Sequence, residues 1–141
     1  MKRFILCLGT LLSLSIQAQH TEDWRYVENG VELPDENYCD QPYVVKAKNN
    51  TWVCVLTTGP GTESQKGQHV VATISPDKGL TWSPLIDIEP ADTVTPSSWV
   101  IPYITTYGRI YAFYDYNGDN ITALNGKPVR NYMLQGWYCF R

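Results

Sequence analysis

The sequence predicts an all-β chain of short antiparallel strands laid out as a repeat, and three observations carry this. Short apolar runs alternate with clusters of Gly, Pro, Asn and Ser, and no helical period is sustained anywhere. Aromatic residues make up 13% of the 141 residues and are mostly Tyr and Trp, rings that suit a pleated surface. Two stretches of the chain also resemble each other, which points to an internal repeat.

Strands are expected near residues 42–48, 51–58, 69–75 and 81–88. Asn49-Asn50 supplies a tight turn between the first two, and Gly59-Pro60-Gly61 opens a longer loop. A break from Pro90 to Ser98 precedes a second set near 99–105, 109–116 and 136–141, with a turn at Gly108 and a long loop from Gly118 to Gln135. Pro42-Tyr43 matches Pro102-Tyr103, and His69-Val70-Val71-Ala72-Thr73 matches Trp137-Tyr138-Cys139-Phe140-Arg141. The spacing, roughly 60 to 68 residues, is that of one four-stranded blade with long loops.

The first residues read as an export signal. Lys2 and Arg3 precede an uncharged apolar run from Phe4 to Ile16, and Gln17-Ala18-Gln19 offers cleavage after Ala18. That run is too short to span a bilayer. The expected organisation is a signal peptide over 1–18, an entry segment over 19–37 and the β-rich remainder over 38–141, with a secreted or periplasmic destination in a bacterial cell. Cys39, Cys54 and Cys139 then remain in an oxidising compartment, an odd number whose pairing is open. Cys54 lies in the strand-like run Trp52-Val53-Cys54-Val55-Leu56, where a buried thiol acts as a small hydrophobe. There is no zinc-type Cys/His cluster, so no metal or cofactor is implied. The net charge of -3 does not suit nucleic acid.

The most informative stretch is Ser75-Pro76-Asp77-Lys78-Gly79-Leu80-Thr81-Trp82, which fills every defined position of the pattern S-x-D-x-G-x-T-W. In a hairpin turn, Asp77 accepts bonds from turn N–H groups and Gly79 adopts a positive φ. Thr81 is expected to start the outgoing strand, and Trp82 to cover the turn. This stretch resembles the Asp-box of sialidase-like (neuraminidase-type, BNR-repeat) β-propellers. Two further stretches are similar to the first blade of bacterial exo-α-sialidase-like glycoside hydrolases: Asp40-Gln41-Pro42-Tyr43, and Cys54 to Gly59 followed by Gln68-His69-Val70-Val71. Ser98-Trp99 through Tyr114 is similar to the second blade. The resemblance covers about residues 38 to 141 and implies a propeller of four-stranded antiparallel blades, six in the full protein and about two here. Two blades leave strand edges open, so the chain is expected to be the N-terminal piece of a longer protein.

The resemblance implies a glycan or oligosaccharide substrate and exo-acting hydrolysis of terminal sugars. It also implies that the Asp-box (Ser75, Asp77, Gly79, Thr81, Trp82) is structural. The family clamps a sialic acid carboxylate with arginines, the first in an aromatic-Arg-Ile-Pro motif. The matching stretch here is Tyr38-Cys39-Asp40-Gln41-Pro42, which has no arginine. That puts a sialic acid substrate in question and leaves three readings open: a glycosidase for terminal sugars (sialic acid, a neutral sugar, or a uronic or modified glycan), a carbohydrate-binding propeller without catalysis, or a protein-interaction propeller. Glu63, in the loop where the family keeps its acid/base, and Asp40, just before an apolar strand, are the candidate catalytic residues. Gln41, His69, Tyr114 and Asp115 are the candidate substrate contacts, with Tyr114-Asp115 read as a rim segment able to stack on sugar. Arg109 reads as a surface or inter-blade charge, and Arg130 as a loop cation.

Overall fold

The structure is a computed structural model that describes Asp23, residues 25–63, 65–91 and 95–128, and the backbone of 137–140. The signal over 1–18, Arg130 and the side chain of Cys139 lie outside the described residues. The chain divides after Gly30. In the first unit Asp23 accepts from the Arg25 guanidinium at 2.6 Å, and Val27–Asn29 form one 3-10 turn. Among the described residues no helix is long and apolar enough to cross a membrane.

The second unit is all β and antiparallel. Strands β1 (Tyr38–Lys46), β2 (Trp52–Gly59), β3 (His69–Ser75) and β4 (Ile86–Glu89) form one sheet in chain order. Strands β5 (Ser97–Ile104) and β6 (Ile110–Tyr116) form a second sheet, which β9 (Trp137–Phe140) joins next to β6. Within the expected long loop, β7 (Ala123–Leu124) and β8 (Lys127–Pro128) make a small hairpin. Its turn residues, Asn125 and Gly126, have φ of 51° and 76°, the backbone that a two-residue turn between twisted strands requires.

The unit is organised around β2. From Cys54 to Gly59 every residue is buried, so both faces of the strand are covered. On one face Val55 and Val70 pack with Val100, Ala112 and Tyr114 of the second sheet. On the other, Cys54, Leu56 and Val71 pack under Leu33, Trp82 and Leu85. Burying each such aliphatic side chain stabilises by about 1.5–3 kcal/mol, so these two layers provide most of the cohesion. The role of Leu33 also moves a boundary, because residues 31–37, expected to be an entry segment, belong to the β unit.

Directional bonds fix how the sheets meet. The Thr57 hydroxyl oxygen accepts from Trp99 N at 3.1 Å and lies 3.3 Å from Ser98 Oγ, which donates to it. The Gln68 carbonyl accepts from Ser97 N at 3.3 Å. The Gln68 side-chain amide donates to Thr62 O at 2.6 Å and Pro60 O at 3.3 Å, which folds the loop after β2 back over the strand ends. Gly59 permits this approach: a Cβ there would lie 2.8 Å from Gln68 Cα, on a backbone with φ of 139°.

The internal repeat is present, with an equivalence shifted from the expected one. In β1, Asp40 pairs with Thr57 and Tyr43 with Val55, so Gln41 and Pro42 together oppose Leu56 in a bulge. In β5, Ser98 pairs with Asp115 and Ile101 with Phe113, so Trp99 and Val100 oppose Tyr114. The counterpart of Tyr43 is therefore Ile101 and not Tyr103. Likewise Trp137, opposite Asp115, matches Val70, opposite Thr57, and not His69. Proline is tolerated on both first strands because each lies at a sheet edge, so Pro42 and Pro102 mark the edge without marking the register.

The fourth strand is a second correction. Residues 81–85 do not form a strand, and β4 begins at Ile86. Pro84 lacks the N–H a ladder needs. Ser83 ties the segment to β3 instead: its carbonyl accepts from Thr73 Oγ1 at 2.8 Å and its Oγ accepts from Ile74 N at 3.0 Å.

The turn at 75–82 is closed by its own side chains. Asp77 Oδ1 accepts from Thr81 N and from Ser75 Oγ, both at 2.8 Å, and Asp77 Oδ2 accepts from Thr81 Oγ1 at 2.6 Å. Gly79 N donates to Ser75 Oγ at 2.7 Å. Gly79 has φ of 91°, and Trp52 and Trp82 lie against it.

Two outcomes follow for stability. The isosteric change Thr57→Val removes a buried hydroxyl that accepts the part-buried Trp99 N–H at the sheet junction. It should cost about 1–3 kcal/mol in denaturant unfolding, against a few tenths for an exposed threonine such as Thr106→Val. The bonds from Thr81, and then Ser75, hold the Asp77 carboxyl below its ordinary value of 3.8. Its contribution is thus fully present above that value and is lost as pH falls through the lower folded pKa. Thermal melts of the parent and Asp77→Asn proteins should therefore converge as pH drops below about 3.8. A constant offset between the two would remove this assignment.

Candidate functional site

The strand directions sort the candidate residues to the two ends of the sheets. The Asp77 turn leaves the C-terminal end of β3. At that same end Arg109 follows the turn between β5 and β6, where its guanidinium stacks over the Tyr107 ring at 5.9 Å and donates to Tyr111 Oη at 3.4 Å. The opposite end gathers the starts of β1, β3 and β5 and the ends of β2, β4 and β6. Asp40, Gln41, His69 and Asp115 all lie there, as does Glu63 in the loop after β2.

Alternation along β1 decides which of these share a face. Tyr38 opposes Gly59 and Asp40 opposes Thr57, in the same row as Val55, so Tyr38 and Asp40 stand on the face turned to the second sheet. Tyr38 joins the two catalytic candidates. Partial burial and then the negative charges of Asp40 and Glu63, with a hydrogen bond to Asp40, push its phenol up to about 12. At neutral pH the Tyr38 phenol keeps its proton, so it is an O–H donor and not a phenolate nucleophile. Sequence reasoning passed over Tyr38, although its spacing two residues before Asp40 in a strand puts it on the Asp40 face.

Gln41 sits at the bulge beside Asp40, exposed, with φ of 47°. Asp115 is nearly buried at the same end of the second sheet, opposite Ser98, and burial raises its carboxyl above the ordinary range.

Two expected substrate contacts are placed differently. Tyr114 is 0% exposed, so its ring has no face to offer a sugar. It packs with Val55, Val70 and Val100, and its hydroxyl donates to Glu89 Oε2 at 2.6 Å. The reason is parity: Tyr114 lies in the inward row of β6 with Ala112, while Phe113 faces out. His69 is at the expected end, on the other face of the first sheet. It opposes Thr58, which opposes Cys39, one row away from Asp40. The imidazole is buried, with Nε2 at 3.3 Å from Asp87 Oδ1 and Nδ1 at 3.4 Å from Gly67 O and 3.9 Å from Glu36 Oε2. It orders the strand ends and does not line the cluster around Tyr38.

The two thiols among the described residues are unpaired. Cys54 is buried, and burial, then the neighbouring Cys39, pushes it up to about 11, which suits its packing role. Cys39 is exposed, and its thiol is raised by partial burial and then by Asp35 and Asp40. An apolar cleft of about 320 Å³ opens between the sheets, lined by Val53, Val55, Ala72 and Ala112 among others, away from the acidic cluster. Among the described residues no three His, Cys, Asp or Glu side chains come together as a metal site.

Compared with protein-family models, curated proteins and solved structures, the chain finds no match.

The Tyr38 environment is directly testable. Asp40→Asn removes one negative charge and the hydrogen bond, so the Tyr38 phenol should ionise at lower pH. It should still stay above the ordinary value of 10.0, because burial is the larger cause. Carbon-13 NMR of the tyrosine ring carbons against pH reads this out, and an unchanged midpoint would separate Tyr38 from Asp40.

Proposed function

We propose that this chain supplies the first sheets of an exported, propeller-type glycoside hydrolase that removes sugars from the ends of glycan chains. The observation that supports this reading most is the placement of Tyr38 and Asp40 on one face of β1, at the sheet end that also carries the Glu63 loop and lies opposite the self-closed Asp77 turn. Two carboxyl groups and a protonated phenol are what a sugar site needs: a proton donor for the leaving oxygen, and groups that fix ring hydroxyls. In this reading Glu63 gives its proton to the glycosidic oxygen as the bond to the anomeric carbon breaks. Asp40 accepts from a sugar hydroxyl, and Tyr38 donates to one. The propeller arrangement is supported by two antiparallel sheets in chain order whose first strands, β1 and β5, are neighbours.

The substrate of this reading is a neutral sugar. Asp35, Glu36, Asp40 and Glu63 all belong to β1, the segment before it or the neighbouring loop, and their charge opposes an anionic ligand. Where the sialidase clamp would hold an arginine, the chain has Cys39 and Asp40. Binding without hydrolysis is the second reading, and the same missing arginine favours it.

The test is release of 4-methylumbelliferone from galactosides, N-acetylglucosaminides, mannosides, fucosides and a sialoside. Glu63→Gln should lower kcat by about 10²–10⁴-fold with KM little changed, as expected for loss of a general acid. Asp40→Asn should raise KM. Retention on immobilised glycans with no release of fluorophore would establish the binding reading, and preferential cleavage of the sialoside would sink the neutral-sugar argument.

A further inference from the structure

The geometry points to Trp99 as an aromatic platform that stacks on the sugar ring held beside Asp40, with Gln41 at the matching bulge bonding its hydroxyls. This rests on the reading of that end as a glycan site and adds the residue that would recognise the ring itself.

Four observations carry it. First, Trp99 has φ of 55°, a left-handed backbone that a bulky side chain rarely adopts and that glycine would take without strain. Such outliers persist where the surrounding structure enforces them, and they concentrate at ligand sites. Second, tryptophan is outside the hydrophobic core. Trp99 is 37% exposed, while the next residue, Val100, is fully buried and makes the core contact of the bulge. Third, the backbone is anchored. Trp99 N donates to Thr57 Oγ1 at 3.1 Å, and Thr57 stands directly opposite Asp40 across the strand pair, so the bulge of the second sheet abuts the row that holds Tyr38 and Asp40. Fourth, the same bulge in the first sheet carries Gln41, also at positive φ and exposed. Two sheets thus use one backbone device at one end to hold an amide and an indole.

The chemistry of that pair suits a pyranose. An indole face is apolar and electron-rich and packs against ring C–H groups, while the primary amide both donates to and accepts from hydroxyls. Bulges re-aim side chains at the rims of sheets, and this one is held by a hydrogen bond from the Trp99 backbone to a buried strand, so the backbone that carries the ring is fixed. The ligand class is a neutral sugar with a continuous C–H face.

The experiment uses the full chain and immobilised oligosaccharides ending in galactose, N-acetylglucosamine, mannose or fucose, together with thermal unfolding. Trp99→Gly keeps the left-handed backbone and removes the ring. It should weaken binding by about tenfold or more, the loss that marks an aromatic anchor, without lowering the unfolding midpoint. Trp99→Phe should fall between the two. Trp99→Leu, which keeps apolar bulk without an aromatic face, serves as the second variant if Trp99→Gly does not fold, and it should also lose binding. Parent-like binding by Trp99→Gly or Trp99→Leu, alongside weakened binding by Asp40→Asn, would overturn the platform and leave the glycan site standing. A drop in midpoint for Trp99→Gly with binding unchanged in Trp99→Leu would make the ring structural and overturn it as well. If the parent chain binds none of these sugars, or Asp40→Asn binds as the parent does, the site reading falls and the platform falls with it.

Discussion

The placement of everything chemical in this protein depends on one buried hydroxyl. Thr57 lies within the covered stretch of β2 and accepts from Trp99 N and Ser98 Oγ, near the start of β5. The apolar layer around Val55, Val70, Val100 and Tyr114 contributes more free energy, and it has no direction of its own. An apolar contact allows one sheet to slide or rotate on another at small cost, whereas an N–H aimed at a single oxygen does not. Thr57 therefore sets which residue of β5 faces which residue of β1. Asp40 and the Trp99 bulge are neighbours as a result.

The two ends of the sheets use their carboxyl groups differently. At the Asp77 end, both carboxylate oxygens are used within the turn, by Ser75 and Thr81, and two tryptophans lie against the loop. Such a motif is complete in itself and stabilises locally. At the Asp40 end, Gln68 and Gly59 bring the loop bearing Glu63 back over the strand termini, so Glu63 and Asp40 lie at the same end of the sheet. Under the proposed function, these polar groups would serve a bound sugar.

Much of the fold was legible. Continuous apolar runs marked β2 and β3, and Gly, Pro and Asn marked the turns around them. The eight-residue turn pattern specified its own hydrogen bonds almost completely. The misreadings share one cause. The strand expected over 81–88 starts only at Ile86, because Pro84 removes a ladder donor and Ser83 supplies the bond to β3 from its side chain. The repeat was aligned on Pro42 and Pro102, which mark edges, while the bulges that define the true register carry Gln41-Pro42 in one sheet and Trp99-Val100 in the other.

Of the candidate site, Asp40, Gln41 and Glu63 could be found from their positions beside a strand start and in the following loop. By itself the sequence determined that the chain is β-structured, where its strands and turns lie, and that its acidic residues cluster near β1. Local rules suffice for these, since turn geometry, strand period and proline chemistry act over a few residues. Only the tertiary structure decided which face each side chain took. Tyr114 went into the core and Phe113 outward, His69 fell on the far side of the sheet from Asp40, and Trp99 came to the edge of the acidic cluster. In a strand one residue of register exchanges the two faces. Register within each sheet is set by a bulge, and register between the sheets by a threonine hydroxyl whose partner, Trp99, lies 42 residues along the chain, a contact that no local pattern encodes.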